Sequence, residues 1–280
     1  TGVSIIEGYG MTEATCLVSC NPPDGERKIG SVGLPLPFTE VRVLEISRKD
    51  EVLKECKDGE PGEVCVYNPG INIGFTYTDP IKNKSLFIED KFLRTGDIGY
   101  LDVDGYLWLT GRAKDVIMRG GHNIDPLIIE EALSGHPSVS LVGAIGQPDI
   151  YSGELPCAYV ELISGSEVTV QELMDYAKEN VSDYTACPKY IEVLDQLPKT
   201  AIGKVFKPEL RCLSITRIFN DALLKNNIGA LVSDVIEDKK FGLVAKLDKI
   251  DKQISDQLIN SVLGDFITPW IWNDEFEKNK

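Results

Sequence analysis

Histidine is scarce in this chain, with two among 280 residues, and its seven cysteines include no Cys-x-x-Cys pair. That combination argues against a zinc centre, and an odd number of scattered thiols reads as reduced, buried cysteines of a cytoplasmic protein. Long apolar runs are missing too. None approaches the ~18 residues needed to cross a bilayer, so no transmembrane segment is expected, and no secretory signal pattern is visible. Basic residues are outnumbered, 29 Lys and Arg against 44 Asp and Glu, for a formal charge of −15. Such a surface opposes adsorption to phosphate backbones and anionic membranes, and nucleic acid is not expected as a partner. An initiator Met is also lacking: Thr1 lies a few residues ahead of the first motif, and the expectation is that further chain precedes it.

What remains is a globular composition, 42% hydrophobic and 26% charged, long enough for more than one domain. Residues 1–111 read as β-rich. Val3-Ser4-Ile5 leads into the first motif, Glu40-Val41-Arg42-Val43 alternates polar with apolar, and Glu60-Pro61-Gly62 turns the chain into a strand from Glu63 to Tyr67. Gly99–Leu101 and Tyr106–Leu109 flank Asp102-Val103-Asp104-Gly105, a hairpin turn rather than a calcium loop because the later ligand Glu is missing. From 115 to 212 helices alternate with strands. Asp125 and Pro126 open a helix that Gly135 ends, and Thr169-x-x-Glu172 is a capping box for a helix ending near Asn180. Strands are expected at 139–145, 157–162 and 190–194. Beyond 212, Ile218, Phe219, Ala222 and Leu223 form one helical face. Residues 230–236 and 241–247 alternate around Asp238-Lys239-Lys240, and Ile250, Ile254, Leu258 and Val262 recur at helical spacing. Trp270 and Trp272 read as packing residues rather than ligand contacts.

Four short runs carry chemistry: Gly8-Tyr9-Gly10-Met11-Thr12-Glu13, Thr95-Gly96-Asp97, Gly111-Arg112-Ala113-Lys114-Asp115, and Pro198-Lys199-Thr200-Ala201-Ile202-Gly203-Lys204. In this order and spacing they resemble the adenylate-forming superfamily, which comprises AMP-forming acyl-CoA synthetases, firefly-type luciferases and adenylation domains of nonribosomal peptide synthetases. The resemblance covers roughly residues 1–212. It implies an α+β, multi-domain fold: the β-rich end of a large adenylating domain over 1–113, a small mobile α+β domain over 114–212, and then a helix, hairpin, helix (αββα) extension over 213–280 that lies beyond the family's outline.

The resemblance also implies roles. A carboxylate attacking the α-phosphorus of ATP needs charge neutralised on the transferring and leaving phosphates. Thr12 would supply a hydroxyl to the α-phosphate, Glu13 a carboxylate for Mg²⁺, Gly10 a close backbone approach, and Tyr9 a ring beside adenine. Asp97 would take the ribose hydroxyls, with the Arg112 fork on the same ribose or a nearby phosphate. Taken alone, Thr12-Glu13 reads equally as a helix start, while Asp97 and Arg112 read more readily as a turn Asp and a surface Arg than as ligand contacts. Lys114 would be the hinge. Lys204 would be a mobile cation carried by the small domain; a Walker A loop does not compete, since Pro198 replaces the first Gly and Val205 the Ser or Thr. Met118-Arg119-Gly120-Gly121-His122-Asn123 resembles the wall of the tunnel for the pantetheine arm, with His122 orienting or polarising, whereas His136 reads as structural.

The implied activity is an AMP-forming acyl-CoA synthetase: ATP/AMP, Mg²⁺ and coenzyme A as cofactors and a carboxylic acid, expected to be a fatty acid, as substrate. An adenylation enzyme that loads a carrier protein and a non-catalytic interaction module are the alternatives. The phosphate loop and most of the acyl pocket of the family fall outside these residues, so the chain alone is expected to be inactive.

Overall fold

In the computed structural model, residues 5–47, 51–201, 203–238, 241–251 and 254–273 are described. The expected strand residues Val3 and Ser4, the motif residue Ile202 and the turn residues Lys239 and Lys240 lie outside them. The chain forms two compact units, Thr1–Lys114 and Asp115–Lys280.

The first unit holds β1 (Gly8–Met11), β2 (Cys16–Cys20) and β3 (Leu34–Pro35) in one antiparallel sheet. Its second sheet contains β4 (Glu40–Ile46), β5 (Val52–Glu55), β6 (Gly62–Tyr67), β7 (Phe87–Ile88), β8 (Phe92–Leu101) and β9 (Leu107–Arg112), with a short helix α1 (Pro80–Lys84) before β7. Apolar residues from both sheets meet in one core: Val18 from the first, Val64, Val66, Leu93 and Leu107 from the second, and Ala14 from the motif loop. The turn reading of Asp102–Gly105 holds. Asp102 Oδ1 accepts the amides of Asp104 and Tyr106, and Oδ2 accepts from Lys28 and the Trp108 indole.

The second unit is built around β10 (Ile117–Arg119), β11 (His122–Ile124), β12 (Val139–Asp149), β13 (Gly153–Leu162) and β14 (Tyr190–Leu194). Helices α1's successors, α2 (Pro126–Ser134) and α3 (Val170–Asn180), cover this sheet through Ile129, Leu133, Leu173 and Ala177. Local chemistry sets both helix starts. Asp125 caps the Leu127 amide at 2.9 Å, and Thr169 and Glu172 close a reciprocal capping box.

Helix α4 (Lys207–Lys225) runs through residue 212 without a break. Its first half packs Leu210 with Ile145, Cys157, Tyr159 and Leu197. Its second half packs Phe219 and Leu223 against β15 (Ala230–Asp238), β16 (Gly242–Lys249), α5 (Asp256–Leu263) and β17 (Trp270–Trp272). One amphipathic helix therefore serves two cores. The helical periodicity from Ile250 overshoots, because Ser255 caps α5 at the Leu258 amide and leaves Ile250 and Ile254 ahead of the helix. The tryptophans form β17, which pairs in parallel with β16, and their indoles donate to Asn260 and Asp256 at 3.0 and 2.7 Å.

Candidate active site

In the first unit, Asp97 stands opposite Arg112 in the β8–β9 ladder and is 9% exposed. Its Oδ1 lies 3.1 Å from Arg112 Nε, and its Oδ2 accepts the Tyr9 hydroxyl at 2.5 Å. The Asp97 amide donates to Thr95 Oγ1 at 3.0 Å, and that hydroxyl donates to the Val64 carbonyl at 2.7 Å. Three motifs that lie far apart in sequence thus meet at one carboxylate. Burial pushes the Tyr9 phenol well above its ordinary range, and the Asp97 bond adds to the rise. Tyr9 is therefore a donor throughout the physiological pH range.

Thr12 and Glu13 sit in a single 3-10 turn, Thr12–Ala14, just after β1. Thr12 is exposed and Glu13 half-buried. Glu13 Oε1 accepts the Tyr77 hydroxyl at 2.5 Å. Gly10 is fixed by crowding from within the chain: a Cβ there would lie 1.8 Å from the Cys16 carbonyl oxygen on β2. Close backbone approach at this glycine is strand against strand.

The hinge candidate Lys114 is exposed within the 3-10 turn Ala113–Asp115, where one unit ends and the next begins. In the second unit, Gly120 and Gly121 form the two-residue turn of the β10–β11 hairpin, with Arg119 paired to His122. Both glycines have positive φ, 55° and 89°, and a Cβ on either would meet nothing within 4 Å. The glycines answer to the turn's handedness rather than to crowding. Gly120, Gly121 and His122 are exposed. The hairpin is tied down by Gly120 N donating to Ser152 O, Met118 N to Glu154, and Arg119 to the Thr185 carbonyl. His136 is occupied locally, accepting the Ser138 amide at Nδ1 and meeting Tyr176 edge-on.

Gly203 and Lys204 are exposed. Lys204 lies in a tight loop closed by Thr200 N donating to Lys204 O at 2.7 Å and Lys204 N to Thr200 Oγ1 at 3.1 Å, beside the Lys199–Val205 bridge. Its ammonium is thus carried on a braced surface loop.

Two contributors escape sequence reading. Tyr77 reaches Glu13 across 64 residues, and the buried Asn68 donates to the Ala14 carbonyl across 54. Neither separation has a periodicity, and Asn68-Pro69-Gly70 reads only as a turn.

Comparison with known proteins follows the same outline. Residues 1–76 match the AMP-binding enzyme family, and residues 128–204 match the AMP-binding enzyme C-terminal domain. The chain belongs to the adenylate-forming family of AMP-binding enzymes. It is 41% identical over 250 residues to the marinolic acid–CoA ligase of Pseudoalteromonas sp. (strain SANK 73390), covering 89% of this chain and 38% of that protein. It is 35% identical over 222 residues to a long-chain-fatty-acid–CoA ligase of Escherichia coli O157:H7, covering 79% and 38%. Among solved structures, ATP-bound MatB from Rhodopseudomonas palustris aligns with a TM-score of 0.68 at 34% identity, over 75% of this chain and 41% of that one. The chain therefore spans 38% of the length of these curated family members. A 250-residue match within 280 must run past residue 212, so the marinolic acid–CoA ligase shares sequence with the extension as well.

Proposed function

We propose that this chain is the C-terminal portion of an AMP-forming acyl-CoA synthetase, a ligase of fatty acid metabolism that joins a medium-to-long-chain carboxylic acid to coenzyme A through an acyl-adenylate. The observation that carries the reading is the convergence of Tyr9 and Arg112 on Asp97 in the unit that also presents the Thr12-Glu13 turn. A nucleotide site needs this combination: a carboxylate that can accept ribose hydroxyls, a guanidinium beside it, and a hydroxyl and a carboxylate for the phosphates.

Tyr9 offers its ring to the adenine and Asp97 its carboxylate to the ribose. The Thr12 hydroxyl donates to the α-phosphate. Glu13 fits a magnesium ion, since its carboxylate stands half-exposed and such ions are held by one or two carboxylates together with substrate phosphates. Bound there, Mg²⁺ would offset charge on the phosphate oxygens. Lys204 brings its ammonium to the α-phosphate and the acid carboxylate during adenylation. The second unit then turns about Lys114 and presents the Gly120-Gly121-His122 hairpin for the incoming thiol. Support for the hinge comes from the unit boundary directly after Lys114, and support for the mobile cation from the exposure of its loop.

The names of both relatives as CoA ligases favour coenzyme A over a carrier protein as acceptor. Cytoplasmic location is supported by seven free thiols, of which burial pushes Cys65 and Cys157 up to about 12. No helix is long and apolar enough to cross a membrane among the described residues.

The test is to supply the full-length enzyme with ATP, a fatty acid and either coenzyme A or a carrier protein. Acyl-CoA and AMP are the expected products; transfer to the carrier protein alone would overturn the assignment. These 280 residues by themselves are expected to give no acid-dependent exchange of pyrophosphate into ATP.

A further inference from the structure

The Thr12–Ala14 turn is followed by two consecutive residues of positive φ, Thr15 at 55° and Cys16 at 86°. Neither is glycine, and a β-branched residue in the left-handed region is strained, so the surrounding structure must hold it there. One loop does so. Asn68, at the end of β6, donates its Nδ2 to the Ala14 carbonyl at 2.9 Å, while its Oδ1 accepts the Gly70 amide at 2.9 Å and faces Thr15 Oγ1 at 3.3 Å. Gly70 is closed down on the same spot: a Cβ there would come within 2.5 Å of Thr15 Oγ1. Nine residues beyond Asn68, Tyr77 donates its hydroxyl to Glu13 Oε1. Tyr77 is in turn fixed by its own backbone, its amide donating to Asn83 Oδ1 at 2.9 Å and its carbonyl accepting from Asn83 Nδ2 at 2.8 Å.

We propose that the 68–77 loop is a positioning clamp for the metal carboxylate: Asn68 fixes the backbone that carries Glu13, and Tyr77 holds Glu13 by Oε1 so that Oε2 is presented to a nucleotide-bound divalent cation. The proposal rests on the reading of Glu13 as the residue that holds the metal. Without Tyr77 the carboxylate would rotate among its staggered conformers, and metal binding would have to meet that entropy.

Tyr77 is 37% exposed, so Tyr77→Phe removes the hydroxyl and keeps the ring with little effect on folding. In the full-length enzyme with ATP, Mn²⁺ binding read by electron paramagnetic resonance is expected to weaken about 3- to 10-fold, the span of one ordinary hydrogen bond, since Tyr77 orients the ligand without being one. The thermal midpoint is expected to stay put, which separates a loss of metal affinity from a loss of folding. Asn68→Asp keeps the acceptor for Gly70 but loses the donor to Ala14, and is expected to weaken Mn²⁺ in the same direction. Unchanged Mn²⁺ affinity in Tyr77→Phe overturns the clamp. Glu13→Gln separates the two failures: if it weakens Mn²⁺ while Tyr77→Phe does not, the clamp alone falls, and if it leaves Mn²⁺ unchanged, the metal reading of Glu13 falls and the clamp with it.

Discussion

Arg112 faces Asp97 across the β8–β9 ladder with its Nε 3.1 Å from Oδ1, so a nearly buried carboxylate finds its counter-charge on a guanidinium whose side chain is 60% exposed. That asymmetry predicts a clean separation of binding from folding. In Asp97→Asn the side-chain oxygen can still accept from Tyr9, and Arg112 returns to water without leaving a buried unpaired charge. Hydrogen bonds to charged groups are worth about 1.5–3 kcal/mol, so AMP affinity of the full-length enzyme should fall by about 10- to 100-fold. Calorimetric titration with AMP checks this, and unchanged affinity would remove Asp97 from the ribose site.

The contrast between what the sequence carries and what it hides follows from distance along the chain. Thr169 and Glu172 lie three residues apart, and their capping box is realised in full. The strand Tyr190–Leu194 also falls where its alternation places it. The motif residues were visible because each motif is contiguous, yet their meeting at Asp97 is a tertiary fact: Tyr9 is 88 residues away. Tyr77 and Asn68 were not legible, since nothing local distinguishes a tyrosine that reaches Glu13 from any exposed one. The strand of Trp270–Trp272 escaped for a related reason. It is three residues long, and what makes it a strand is its parallel partner β16. Ile250 and Ile254 share the helical spacing of α5 without belonging to it, because the Ser255 hydroxyl, not the spacing, sets where the helix begins.

Lys204 is exposed on its loop, so Lys204→Ala should change stability by no more than about 0.5 kcal/mol. Removing one preorganised charge at a developing phosphate charge typically costs about 100- to 1,000-fold in rate. The full-length variant is therefore expected to lose adenylation by that factor while still forming thioester from supplied acyl-adenylate. Equal loss in both half-reactions, measured by pyrophosphate exchange and by thioester formation, would contradict a cation that acts only in the first.

The β10–β11 turn predicts an unusual tolerance. Gly120 has φ 55° and open space around its Cα, and asparagine accepts the left-handed region better than other side chains. Gly120→Asn should alter stability by less than about 0.5 kcal/mol, whereas Gly120→Val should cost about 1–2 kcal/mol for its backbone strain. Urea denaturation measures both. If the hairpin also forms the wall along which the thiol arm passes, Gly120→Asn should slow thioester formation while leaving adenylation intact, a split that turn geometry alone would not produce.

Glu154 gives the second unit a pH dependence of predictable sign. Its Oε2 accepts the Met118 amide at 2.8 Å and packs over Gly146, where a Cβ would lie 2.5 Å from that oxygen. Burial raises its pKa above the ordinary glutamate value, and the opposing pull of the Met118 amide and the Arg211 charge does not cancel the rise. An acid whose folded value lies above its unfolded value contributes its stability below the ordinary carboxyl range, and that contribution is lost as pH rises through the folded value. Glu154→Gln keeps an oxygen to accept the Met118 amide and removes the buried charge. The variant is expected to gain urea resistance over the parent at pH 7, and the gain is expected to shrink toward pH 4, where the parent carboxyl becomes protonated as well. Denaturation midpoints for both proteins across that range decide it, and a difference that stays constant with pH would show that burial of the charged form is not what Glu154 contributes.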